Sequence, residues 1–298
     1  MSGLIVPPTL AAVLTAFTAC FQARSYRTFQ WLVLGWVQCQ GRRTITTVAL
    51  ASGTIGQHHI SVFHRCFSRA PWSLDALGRV LFGLALTWIP ADQPLVVLGD
   101  DTLARKSGKR IALASRHHDP LLSSAHKPFC SFGHVWVPLP FGTGRGFALP
   151  VLFRLYVGAK RGGERHRAGQ WQRRIGPRLQ AARTAHAQHP QVTKLDLLRE
   201  LVALLAQWAG ERTVYLAVDR AYAGRTVLED RLPKVQVISR LRVDAALYTR
   251  PPRRQPGQKG RPRRRGERLP TLSQLIARRR HWPRCRWCST GAPSRRAS

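Results

Sequence analysis

Leu95-Val96-Val97-Leu98-Gly99-Asp100-Asp101-Thr102 is an apolar run that stops at two adjacent carboxylates, in a chain with 14 acidic residues against 48 Lys and Arg. Four consecutive apolar residues bounded by polar ones read as a buried strand. A carboxylate at the tip of such a strand is poorly solvated and close to its like-charged neighbour. It would protonate unless a cation or metal offset it. The same arrangement returns much later as Thr213-Val214-Tyr215-Leu216-Ala217-Val218-Asp219. Two buried strands, each delivering an Asp to one sheet edge, form the skeleton of a two-metal phosphodiester site.

Between and beyond these two strands the pattern fills in a sheet. A basic, Gly-containing turn follows the first (Arg105, Lys106, Lys109, Arg110), then a His-rich loop with His117, His118, Asp119 and His126. His134–Leu139 and Phe147–Val157 read as two more strands, with Gly142, Gly144 and Gly146 marking the hairpin between them. Pro150 favours an edge position or a strand start for the latter. Leu195–Trp208 is the clearest amphipathic helix, closed by Gly210. After the second Asp strand come a short helix at Thr226–Arg231 and a last strand, Val235–Leu241. Hairpins followed by a helical crossover into a strand parallel to the first predict a ribonuclease H-like mixed sheet of the α/β class with flanking helices. Asp100 and Asp219 would then lie on neighbouring strands.

A helical region, 1–90, precedes this core, 91–248. Apolar residues recur at helical spacing over 9–40 and 60–81, Ser73 stands as an N-cap, and Thr44–Thr54 reads as a Thr-rich connection. Short helices with His58, His59, His64, Arg65 and Arg69 suit a helix-turn-helix DNA-binding region, or equally an ordinary helical cap on the core. No charge precedes Arg24, but Pro7-Pro8 and several Thr interrupt that segment, so it reads as a core helix and no membrane span is expected. The last part, 249–298, reads as a basic disordered linker over Pro251–Arg268, a short helix near Thr271–Arg280 and a tail without periodicity.

Net charge is +34, and only seven of the basic residues are Lys. Arg presents a planar fork that grips phosphate oxygens in pairs, so a nucleic acid is the expected polyanion. Arg-rich codon usage would raise the same count without any such purpose. Besides the basic turn, Arg173, Arg174, Arg253, Arg254, Arg263 and Arg264 are the candidate phosphate contacts. The six cysteines are scattered, mostly in apolar contexts, as suits reduced thiols in the cytoplasm. The histidine cluster lacks the usual spacing of a zinc site, and His281-x3-Cys285-x2-Cys288 is a lone half-site with no partner pair.

The run D-D-T-x-x-x-K-x-G-K at 100–109, the Gly133-His134-x-Trp136-Val137 strand, Asp219-Arg-Ala-Tyr222 and Ile238-Ser239-Arg240-Leu241-Arg242-x-Asp244 together resemble the DDE transposases of bacterial insertion sequences, over roughly residues 30–270. The resemblance implies DNA cleavage and strand transfer by divalent-metal phosphoryl transfer, with Mg²⁺ or Mn²⁺ and the element ends and target DNA as partners, in a homo-oligomer. Asp100 stands where the family's first aspartate falls, with Asp101 as the alternative ligand or a group supporting it. Asp219 matches the second. The family's third acid, a Glu on a late helix, has no match among Glu229, Asp230, Asp244 and Glu267. The expectation is therefore a truncated transposase, weakly active or inactive by itself, with its tail from His281 foreign to the fold. A non-catalytic DNA-binding remnant or transposition inhibitor is the competing reading. An RNA-binding protein is disfavoured by the lack of an RNP-type aromatic strand.

Overall fold

The computed structural model describes residues 7–108, 111–124, 126–157, 192–222, 227, 232–240, 245–252, 260–261 and 263–278. The chain divides into two compact units, Met1–Ser239 and Arg240–Ser298.

In the first unit, α1 (Pro8–Ala16), α2 (Ala23–Gln38), α3 (Ile45–Ala51), α4 (Ser61–Ser68) and α5 (Leu74–Leu86) precede the sheet. Helix α3 replaces the connection expected at Thr44–Thr54. Its β-branched residues are modest helix formers, but Thr44 and Thr47 close a reciprocal capping box at its start. Tertiary packing adds the rest: Val48 and Ala49 are buried with Leu32, Cys39, Phe63 and Cys66. Gly35 lets α2 and α3 cross closely, since a Cβ there would lie 2.1 Å from the Val48 carbonyl oxygen. The connection from α3 to α4, residues 52–60, is longer than the three- or four-residue turn of a helix-turn-helix.

Among the described residues seven strands form one sheet: β1 (Leu95–Gly99), β2 (Thr102–Arg105), β3 (Ser115–His118), β4 (Cys130–Gly142), β5 (Ala148–Tyr156), β6 (Val214–Val218) and β7 (Val235–Ser239). Strand β4 is antiparallel to β5 and to β1, while β1, β6 and β7 run parallel. The order β5-β4-β1-β6-β7 is the ribonuclease H-like arrangement the sequence predicts. Pro150 lies on β5 at the sheet's edge, opposite Pro140, where the β4–β5 register slips.

Two strands were not visible in the pattern. Arg105 ends β2 rather than opening a basic turn, and His117 and His118 belong to β3 rather than to a loop. Strand β2 continues β1 in one register: Val97 faces Phe141 and Thr102 faces Trp136, five residues on and five residues back. Asp100 and Asp101 are therefore the interruption of a single long strand. Gly133 has Arg105 on one side and Ser115 on the other, which puts β3 on the β5 side of β4.

One sheet face is buried. Leu95, Val97, Val137, Leu139, Phe141, Val214, Leu216 and Val218 pack against Phe82 and Ala85 of α5 and against Leu198, Leu201, Val202 and Leu205 of α6 (Lys194–Ala209). Thus α5, grouped by sequence with the helical region, is a layer of the core. The helix expected at Thr226–Arg231 falls, Val227 apart, outside the described residues.

In the second unit, Tyr248 pairs with Arg268, the Glu267 amide donates to the Thr249 hydroxyl at 2.8 Å, and α7 spans Leu272–Arg278. The stretch read from composition as a disordered linker is thus tied together at its two ends. Among the described residues no helix is long and apolar enough to cross a membrane.

Candidate active site

Strands β1 and β6 are paired from Leu95–Val214 to Gly99–Val218, and both end there. The next residue on each is an aspartate. Side chains alternate across a sheet, and positions 95, 97, 99 and 214, 216, 218 face the helices. Asp100 and Asp219 therefore turn to the other side, and both are exposed. Gly99 makes this end possible, because a Cβ there would meet Val218 at 2.8 Å and Leu198 of α6 at 2.9 Å.

The two aspartates are held alike. Oδ1 of Asp100 accepts the Asp101 amide at 2.7 Å, and Oδ1 of Asp219 accepts the Arg220 amide at 2.7 Å. Each keeps a second oxygen directed away from that bond. Hard carboxylate oxygens of this kind suit a small divalent cation, which binds through one or two carboxylates and completes its shell with water and phosphate. Among the described residues no three His, Cys, Asp or Glu side chains are grouped so as to enclose a metal ion.

Asp101 is bound differently. Its Oδ2 accepts from Lys194 Nζ at 2.5 Å and its Oδ1 from the Tyr222 hydroxyl at 2.9 Å. Lys194 is the first residue of α6, placed by a capping box between Thr193 and Asp196, and its ammonium lies 5.6 Å over the Tyr156 ring. Tyr222 sits in a 3₁₀ turn directly after Asp219, and its amide donates to the Asp219 carbonyl at 2.9 Å. The ring is 2% exposed. Burial, then the neighbouring Asp101 and Asp100 carboxylates, push the phenol well above its ordinary range, so it stays a donor. Behind Lys194, burial lowers the pKa of His117, helped by the Lys194 and His134 charges and opposed by Asp101.

The basic candidates divide. The Arg105 guanidinium is paired with buried Asp119 through Nε at 2.6 Å and a terminal nitrogen at 3.0 Å, while its side chain is about half exposed. Lys106 is exposed. Arg263 and Arg264 are exposed in the second unit, beside Arg265, which covers the Tyr248 ring at 5.0 Å. Lys109, Arg110, Arg173, Arg174, Arg253 and Arg254 lie outside the described residues. Of the histidine cluster, His134 contacts the Ala112 carbonyl oxygen at 2.8 Å and Asp119 is taken by Arg105 and Ser131.

Sequence reasoning missed Lys194 and gave Tyr222 no role. The signals were slight: Thr193-Lys194-x-Asp196 opens a helix at Lys194, and Tyr222 follows Asp219 by one turn. Among curated proteins no match to the sequence is found. The family model for the DDE superfamily endonuclease matches residues 16–293, and so includes much of the tail without periodicity. With a match spanning nearly the whole chain, on a ribonuclease H-like sheet, the protein belongs to the DDE superfamily endonucleases, nucleases of the transposase type.

Proposed function

We propose that the chain is a DNA transposase whose Asp100 and Asp219 carry the divalent metal, Mg²⁺ or Mn²⁺. The observation behind this reading is that β1 and β6 stop at the same rung and each continues into an exposed aspartate. The chemistry supplied by such an ion is polarisation of a phosphodiester and activation of water or a 3′-hydroxyl for in-line attack. The protein's part is positional. Asp100 and Asp219 present hard oxygens from two strands fixed by a shared ladder, and Asp101, engaged by Lys194 and Tyr222, stays behind them. Exposed Arg and Lys side chains, with those of the basic segments 163–183 and 250–268, would carry the phosphate backbone of element ends and target. A homo-oligomer acting on DNA in the cytoplasm follows from the same reading.

A second reading, a DNA-binding relative that cleaves weakly or not at all, is favoured by one feature. Among the described residues no third carboxylate completes a group with the first two. Both readings are separated by incubating supercoiled plasmid with the purified chain in Mn²⁺. Nicking by the wild-type chain that falls to background in Asp100→Ala and Asp219→Ala supports the transposase. Tight DNA binding without nicking supports the remnant. Nicking that survives both substitutions removes Asp100 and Asp219 from the chemistry.

A further inference from the structure

Backbone pairing between β1 and β6 ends at Gly99 and Val218, one residue short of both exposed aspartates. The spacing of Asp100 and Asp219 is therefore set by whatever joins the chain just past the ladder. Tyr222 and Asp101 do this. The Tyr222 amide closes the turn that carries Asp219, and its hydroxyl reaches across to Oδ1 of Asp101, the residue after Asp100. Lys194 then ties the other oxygen of Asp101 to the first turn of α6, the helix that covers this end of the sheet.

We infer that Asp101 is a positioning residue, locked by Tyr222 and Lys194, that sets the separation of the two metal-binding aspartates. This rests on the proposed role of Asp100 and Asp219. Both oxygens of Asp101 accept a side-chain hydrogen bond, from Lys194 and from Tyr222, whereas Asp100 and Asp219 each accept the next residue's amide at one oxygen. Tyr222→Phe changes no charge and keeps the ring, and if Asp101 positions, this variant loosens the aspartate pair. A ligand role for Asp101 is told apart by Asp101→Ala, which would then cost as much metal affinity as Asp100→Ala.

The test is Mn²⁺ binding by the full chain, read from the electron paramagnetic resonance signal of free Mn²⁺, with thermal melting of each variant alongside. Tyr222→Phe is expected to weaken Mn²⁺ binding about 10-fold, the lower end for groups that orient metal ligands. Asp101→Ala should weaken it similarly, and the double variant no further, because the two residues act as one link. A merely structural link would lower the melting temperature and leave the affinity of the folded chain alone. Wild-type or tighter affinity in Tyr222→Phe, or an Asp101→Ala loss as complete as that of Asp100→Ala, overturns the inference while the site stands. No Mn²⁺ binding by the wild-type chain, or wild-type binding by Asp100→Ala and Asp219→Ala, overturns the site itself and the inference with it.

Discussion

Asp119 is the one fully buried carboxylate among the described residues. It remains ionised because Arg105 donates two hydrogen bonds to it, Ser131 a third at 2.5 Å and the Leu121 amide a fourth at 3.2 Å. The Arg105 bonds first, then that of Ser131, hold its pKa far below the usual carboxylate range. A depressed folded-state value means that this carboxylate stabilises the fold above the unfolded pKa, about 3.9. That stabilisation is lost as pH falls below about 4 toward the folded value. The melting temperature of Asp119→Asn should lie well below wild type at pH 7, and the gap should close steadily between about pH 4 and pH 2. A gap that stays constant would show that the charge at Asp119 contributes nothing. Arg105, read from sequence as a phosphate contact, is at this site the partner of Asp119. Its neutralisation to Gln should destabilise the β2–β4 corner more than it weakens DNA binding.

At the scale of elements, close approach is decided by glycines. Gly78 on α5 faces the sheet, and a Cβ there would lie 2.0 Å from the Val151 carbonyl oxygen of β5. Backbone cannot yield as a flexible side chain can, so Gly78→Ala must lift α5 from β5. The expected cost is about 2 kcal/mol, in the range for overpacked cores, measurable by urea denaturation. A neutral or stabilising effect would mean that the helix can slide without loss. Arg154 of β5 reinforces the same junction, bonding Asp75 of α5 at 2.7 and 2.9 Å and Glu200 of α6 at 2.8 Å. One guanidinium thus joins both covering helices to an edge strand. Of the elements, β1, β6 and α6 were legible because each buries a continuous apolar set. Strands β2 and β3 were not, since Thr102–Arg105 has only two apolar residues, Ser115–His118 has none, and both owe their form to pairing with β4.

At the scale of the molecule, the net charge of +34 is the dominant feature. A surface of this sign attracts a polyanion over distances of about 10 Å at 0.1 M salt and releases condensed counterions on binding. Affinity for duplex DNA should therefore fall about 10³-fold between 50 and 200 mM salt if six or more phosphates are neutralised, with log K linear in log salt. A filter-binding or anisotropy titration at several salt concentrations gives the slope. A flat dependence would refute backbone binding as the role of the Arg-rich surface. Because Arg105 is tied to Asp119, its removal should leave that slope unchanged.

The sequence by itself determined the order of the apolar strands and the placing of Asp100 and Asp219 just past the ends of neighbouring parallel strands. Apolar periodicity is local, the crossover between parallel strands has one favoured hand, and an aspartate directly after each buried run has nowhere else to go. It also carried the family, through motifs spread along the chain. Only the tertiary structure decided what Asp101 is bonded to. Its partners Lys194 and Tyr222 are 93 and 121 residues away, on a helix end and a turn whose approach is set by packing over Gly99. Adjacent aspartates look equivalent on a line of letters. The alternation of side chains across a sheet sends one outward to solvent and the other inward to a lysine and a tyrosine, and that difference in surroundings separates their chemistry.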